Sequence, residues 1–153
     1  IDSTMVRAHQ HSAGARKKRG VDQAIGRSRG RLTTKIHAVV DAAGKGVALS
    51  LRLDKGGITE AEPLLDEVDP KAFITDKAYD ADPLIEKLRE RQITPVIPAK
   101  RNRRHPRKTS LSFYKKRNII ERFFVGLKQF RGIATRYDKL KATFLAAEQR
   151  KTI

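Results

Sequence analysis

Two short runs of β-branched and aliphatic residues, KIHAVVD (Lys35–Asp41) and GVALSLRL (Gly46–Leu53), flank the turn-forming stretch AAGKG. This pattern predicts a β-hairpin. The opening IDSTMVRAHQ reads as the end of a strand, closing at Asp2 and running into an irregular segment. AFIT (Ala72–Thr75) is a short apolar strand that stops at Asp76, and ITPVIPA (Ile93–Ala99) is another, with its prolines at or near the ends. Helical signals fall between these runs. In TEAEPLLDEVD (Thr59–Asp69), Thr59 with Glu62 fits a capping box, and Pro63 falls in the first turn or so, where it is tolerated. DPLIEKLRER (Asp82–Arg91) starts with an Asp cap and Pro83 at the first helical position. A long helix is expected from about Leu111 to Phe130, and a shorter one over Asp138–Ala147, packing Leu140, Phe144 and Leu145 inward. From Ser12 to Arg31 the chain is rich in Gly and Arg without periodicity, which predicts a mobile loop. The order strand, hairpin, helix, strand, helix, strand, long helix gives an α/β fold, with one sheet holding both antiparallel and parallel pairs.

Composition narrows the class. The chain has 153 residues and a hydrophobic fraction of 39%, which suits one domain with a real core. It lacks cysteine, so there is no disulfide framework and no thiolate zinc site. No apolar run approaches the roughly 18 residues of a membrane span, so no membrane partner is expected and a cytoplasmic setting is the default. Ile1 leads straight into Asp2 and the only methionine is Met5, which points to a piece of a longer protein, its first strand cut short, or to a reading frame without its normal start. Net charge is +17, from 34 Lys and Arg against 17 Asp and Glu, and implies a polyanionic partner bound with steep salt dependence. The charge is unevenly spread. Residues 3 to 40 hold a single acid, Asp22, beside the run RKKR that contains Lys17 and Lys18. No acid lies between Arg91 and Ile120, where RNRRHPRK supplies Arg101, Arg103 and Arg104. Both clusters are candidate grips on a phosphate backbone.

Against that background three carboxylates stand out: Asp2 and Asp76 at strand ends, and Glu121 on the long helix. Ligands of open α/β sheets gather at the carboxyl ends of strands, so neighbouring strands would bring Asp2 and Asp76 into one crevice. Three carboxylates repel one another unless hard divalent cations relieve them, and oxygen-only ligation suits Mg²⁺, or Mn²⁺ in its place, rather than zinc. The bland alternative is that each Asp is a turn former or helix cap. The long helix adds specificity. At about 100° per residue, Tyr114, Arg117, Glu121 and Lys128 fall in one stripe about 60° wide. Ile119, Phe123, Leu127 and Phe130 lie opposite, with Ile120 and Phe124 extending that face. A plain i,i+4 ion pair between Arg117 and Glu121 leaves Tyr114 and Lys128 unexplained.

The spacing Y-x2-R-x3-E-x6-K resembles the signature around the third acid of DDE transposases from bacterial insertion sequences, in the superfamily of groups four and five. IDSTMVRAHQHSAGARKK resembles the family's first-Asp region, TDKAYDAD its second, and ERFFVGLKQFRGIATRYDKL its third, so the likeness runs in order over nearly the whole chain. The resemblance implies a single RNase H-like catalytic domain over residues 1–153, without the N-terminal region that reads terminal inverted repeats. It implies Asp2, Asp76 and Glu121 as ligands of two Mg²⁺ ions. It also implies cleavage at transposon ends in double-stranded DNA, strand transfer into target DNA, and a homodimer in the synaptic complex of a bacterial, nucleoid-associated enzyme. Tyr114, Arg117 and Lys128 match positions that contact DNA near the cleaved phosphate. Two other readings stay open: an inactive remnant that only binds DNA through its basic surface, and an RNase H-like nuclease that cuts without joining.

Other residues carry weaker signals. The pair His9 and His11 lies in a basic loop and is expected to face solvent or DNA, and His37 to be a half-buried strand residue. Lys77, next to Asp76, is divided between phosphate contact and a solvated loop.

Overall fold

A computed structural model describes residues 1–14, 23–28, 31–52 and 57–152. Its centre is a ten-residue strand, β3 (Arg31–Val40). The first strand, β1 (Asp2–Ala8), lies antiparallel along one edge of it, from Asp2 opposite Ala38 to Arg7 opposite Thr33. The other edge of β3 takes β2 (Gly26–Ser28) and β4 (Gly46–Arg52), both antiparallel, and a two-residue β7 (Thr135–Arg136) runs parallel to the end of β1. The predicted hairpin is β3–β4. Its turn closes because the Asp41 carboxylate accepts the amides of Ala43 and Lys45, each at 2.9 Å, while Gly44 takes φ +87°, a value that favours glycine. A second, smaller sheet pairs β5 (Ala72–Ile74) and β6 (Thr94–Val96) in parallel. The helix α2 (Asp82–Glu90) makes the crossover that parallel pairing requires.

Alternation along β3 and β4 directs side chains to two layers. Val39 and Ala48 join Leu64 and Leu65 of α1 (Gly57–Asp66), Phe73, and Leu84 and Leu88 of α2 in one apolar cluster. Ile36, Ala38 and Leu51 point the other way, onto Ile120 and Phe124 of α4 (Asn118–Lys128) and Phe144 of α6 (Lys141–Thr152). The sheet is thus buried on both faces, a mixed α/β arrangement. No helix among the described residues is long and apolar enough to cross a membrane.

Several expectations need correction. Asp2 opens β1 and does not end it. Val6 and Ala8 are buried while Met5 and Arg7 are exposed, a period of two that continues because β3 is long enough to supply partners. Part of the Gly/Arg segment is strand: β2 forms against β3, a distant partner that local composition does not reveal. Ser12–Gly14 of that expected loop belong to a 3₁₀ turn (Gln10–Gly14), and its residues 15–22 and 29–30 lie outside the described residues. The helix α1 begins at Gly57, ahead of the expected Thr59 cap. In α2 the N-cap is Ala81, which places Asp82 inside the first turn. His37 is fully buried, its Nδ1 3.4 Å from the Tyr79 hydroxyl.

The expected helix Leu111–Phe130 is two helices, α3 (Leu111–Lys115) and α4. Across the junction the amides of Lys116, Arg117, Ile119 and Ile120 bond three residues back, at 2.9–3.1 Å. The chain keeps winding but more tightly, about 120° per residue. The buried face becomes Ile120, Phe124 and Leu127, and Phe130 is left exposed just before α5 (Arg131–Ala134). Leu140 is exposed because α6 starts after it, whereas Phe144 is fully buried as expected.

Candidate active site

The site is assembled by strand ends meeting the α3–α4 junction. The amino group of Ile1 donates to the carbonyl of Ile74 at 2.7 Å, which sets the start of β1 beside the end of β5. Asp2 follows on one side. On the other, Asp76 caps the 3₁₀ turn Lys77–Tyr79, its Oδ1 accepting the Lys77 amide at 2.6 Å. Glu121 sits exposed in the first turn of α4.

Arg117, at the tightened junction, connects these groups. One guanidinium nitrogen donates to Asp2 Oδ2 at 2.5 Å, and the other donates to Glu121 Oε1. Burial alone would lower the Arg117 pKa. The negative charges of Asp2, Glu121 and Asp76 outweigh that effect and hold it above its ordinary value. The i,i+4 pair with Glu121 therefore exists, but the same guanidinium also reaches a residue 115 positions away. The Tyr114 ring centroid lies 5.9 Å from it, because residues three apart are eclipsed in a 3₁₀ step. Lys128 donates to the Thr4 hydroxyl at 2.5 Å. Asp2 and Thr4 are two apart on β1 and share a face, so the stripe of α3 and α4 lies along that face.

All three candidate ligands are oxygen donors, and two already converge on one cationic group. That donor chemistry fits a hard divalent cation. Among the described residues no three such side chains stand close enough to hold an ion, since they surround a guanidinium and do not share one point. An adjacent cavity of about 570 Å³ has mostly apolar walls, with Ile1, Val39, Phe73 and Phe113, and carries Lys71, Lys116 and Arg117 in its lining.

The basic candidates divide. Arg101 and Arg104 are exposed. Arg103 is not available in the same way: it turns inward, Nε donating to Asp80 Oδ2 at 2.7 Å and Nη2 pairing with Asp82 at 2.7 Å. Arg107 donates to the other Asp80 oxygen, and the Lys100 amide adds a bond at 2.8 Å. Although the Asp80 carboxyl is buried, these donors hold its pKa below the usual carboxylate range. Sequence reasoning missed this role. No local signal marked it, since Asp82, Glu86 and Glu90 lie between Asp80 and the acid-free stretch. Lys17 and Lys18 lie outside the described residues. His9 and His11 stack edge-on at 4.8 Å, with Tyr137 on His9, and Lys77 is exposed.

A family model described as a transposase DDE domain matches residues 1–152. A Brucella ovis protein provisionally named as transposase for insertion sequence element IS6501 is 36% identical over 121 residues, covering 74% of this chain and 90% of that protein. No solved structure matches the chain.

Proposed function

Starting from the fact that the chain belongs to the transposase DDE domain family, we propose that it cleaves DNA at transposon ends and joins the freed 3′-hydroxyl to target DNA. Residues 1–153 form the single RNase H-like catalytic domain for this chemistry, acting as a homodimer on paired ends, in the bacterial nucleoid. The observation that carries the reading is the Arg117 bridge from Asp2 to Glu121, with Asp76 inside the same field. Such convergence is not needed to hold helix to strand, and it gathers like charges that a plain surface would keep apart.

Asp2, Asp76 and Glu121 are the ligands for two Mg²⁺ ions, or Mn²⁺. Held there, the ions would supply activation of the attacking oxygen and charge neutralisation at the leaving oxygen. The chain's own part is to orient the strand. Released from the carboxylates, Arg117 offers a two-pronged fork to a phosphate, Lys128 offers a point charge, and Tyr114 offers a ring on which the strand end stacks. The guanidinium and a cation compete for the same carboxylate oxygens, so DNA engagement by Arg117 and metal binding favour each other. Arg101 and Arg104 hold the backbone at greater distance from the reacting phosphate.

The test is end cleavage and joining on a duplex carrying the element's termini, with and without Mg²⁺. Asp2→Asn, Asp76→Asn and Glu121→Gln are each expected to abolish both steps while leaving DNA binding intact. Wild-type activity in all three variants would falsify the assignment. Nicking with no joined product would instead mark a nuclease. Because Arg117 occupies the carboxylates, a second reading is a binding-only remnant. It predicts DNA binding indifferent to Mg²⁺ and to Glu121→Gln, and no cleavage.

A further inference from the structure

The basic stretch between β6 and α3 carries Lys100, Arg101, Arg103, Arg104, Arg107 and Lys108, a density of like charge that would splay an unsupported loop. It is not unsupported. Asp80, 3% exposed, takes the Lys100 amide and Arg103 on one oxygen and Arg107 on the other. Asp82 takes a second bond from Arg103, and the Thr109 hydroxyl ties the far end back to the Ile97 carbonyl at 3.2 Å. With Arg103 and Arg107 drawn inward, Arg101, Arg104 and Lys108 are left exposed. Asp80 is also fixed from behind. Its amide bonds the Lys77 carbonyl at 3.1 Å, and its neighbour Tyr79 is buried against His37 of β3. One turn therefore carries the candidate metal ligand Asp76 at its head and the loop anchor Asp80 at its tail.

We propose that Asp80 is a positioning residue for DNA: by gathering Arg103, Arg107 and the Lys100 amide, it sets Arg101 and Arg104 at a fixed offset from Asp76, where they meet the phosphate backbone of the duplex being cleaved. The inference rests on the transposase reading above and adds what aligns the duplex. Four residues of chain span at most about 14 Å, a length of duplex carrying roughly eight phosphate charges, so a strand at Asp76 passes within reach of the loop. A preformed loop engages those phosphates without an ordering cost at binding.

The experiment is a salt titration of binding to a 25-base-pair duplex, read by fluorescence anisotropy, in the full chain and three variants: Asp80→Asn, the double variant Arg101→Gln/Arg104→Gln, and the triple combination. The double variant should lower the slope of log K against log salt by about 2, the loss of two phosphate contacts. Asp80→Asn makes the protein more positive, so charge alone predicts tighter binding. Positioning predicts the reverse, about tenfold weaker binding with a slope near that of the double variant. The triple variant should then bind no worse than the double, because Asp80 acts only through the two arginines. An unchanged or tighter Asp80→Asn, or one whose loss persists in full in the triple variant, overturns the proposal while leaving the loop as a DNA contact. No effect of the double variant removes the loop from the DNA interface and overturns both. If Asp80→Asn does not fold, Arg107→Gln loosens one arm of the latch and is read in the same cycle.

Discussion

Arginine meets carboxylate at two places in this molecule, with opposite stoichiometry. At Asp80 one buried carboxylate is surrounded by two guanidinium groups and a backbone amide. At Arg117 one guanidinium serves two carboxylates and feels a third, and the Glu121 side chain is half exposed. The first cluster has its acceptors filled, so it behaves as structure. In the second, acceptor oxygens outnumber donors inside a protein of net charge +17. Such a deficit of cations suits metal binding, and a latch has no use for it.

The largest expected effect separates the two directly. Asp2→Asn or Glu121→Gln should cut Mg²⁺-dependent cleavage by about three orders of magnitude or more while thermal stability shifts by no more than roughly 1 kcal/mol. Asp80→Asn should do the reverse in the melt, losing about 3 kcal/mol and roughly 10 °C of midpoint, because the buried carboxylate no longer offsets two half-buried guanidinium groups. The stability Asp80 contributes is present above its ordinary value of 3.8, and it is lost as pH falls through the lower folded value. Melts of wild type and Asp80→Asn should therefore stay apart above 3.8 and converge only as pH falls through the lower folded value. Equal melting losses for Asp2→Asn and Asp80→Asn would erase the distinction.

A third carboxylate sharpens it. Glu148 on α6 is fully buried, and neither oxygen has a hydrogen-bond partner among the described residues. Burial pushes its pKa up to about 8, with the nearby Arg136 charge only partly opposing. Arg136 instead donates to the Thr34 hydroxyl at 3.0 Å and lies 5.0 Å from the Phe144 ring centroid. Burial is thus common to Asp80 and Glu148, and donors decide which way each titrates. Because the folded value is raised, stability is fully present below the unfolded value of 4.5 and is lost as pH rises through about 8. Urea melts should show a decline of roughly 4 kcal/mol across that window, abolished in Glu148→Gln. A flat wild-type profile between pH 5 and 8 would mean that the carboxyl finds a donor after all.

Arg117→Gln tests the deficit at the other cluster. With the guanidinium gone, Asp2 and Glu121 lose their competitor. Mn²⁺ binding to the DNA-free protein, followed by calorimetry, should tighten about tenfold, near 1.4 kcal/mol. Weaker binding would show that Arg117 orients the ligands and does not compete for them.

What the sequence disclosed follows from the range of each interaction. The β3–β4 hairpin was legible because turn and strands are adjacent, and the Tyr114–Arg117–Glu121–Lys128 stripe because helical spacing is local. Asp2 was placed at the wrong end of its strand, since strand length depends on β3, some thirty residues away. Arg103 was assigned to DNA because composition sees only charge, whereas its partner Asp80 lies 23 residues earlier. The tightened Lys116–Arg117 junction was invisible at a uniform 100° per residue.

The smallest predicted effect asks whether the Arg117 stripe is a binding surface throughout or ends in a latch of its own. Lys128 is exposed, and its bond to the Thr4 hydroxyl ties α4 to β1 near the carboxylates. A single exposed bond of this kind contributes about 0.5 kcal/mol. Lys128→Ala should therefore leave the melting midpoint within about 2 °C of wild type, while the salt slope of duplex binding falls by about 1, one phosphate contact. The opposite pattern, a midpoint several degrees lower with an unchanged slope, would make Lys128 a structural tie like Arg103. The acid-rich cluster would then be flanked by a latch on this side, and only Tyr114 and Arg117 would remain on the stripe to face DNA.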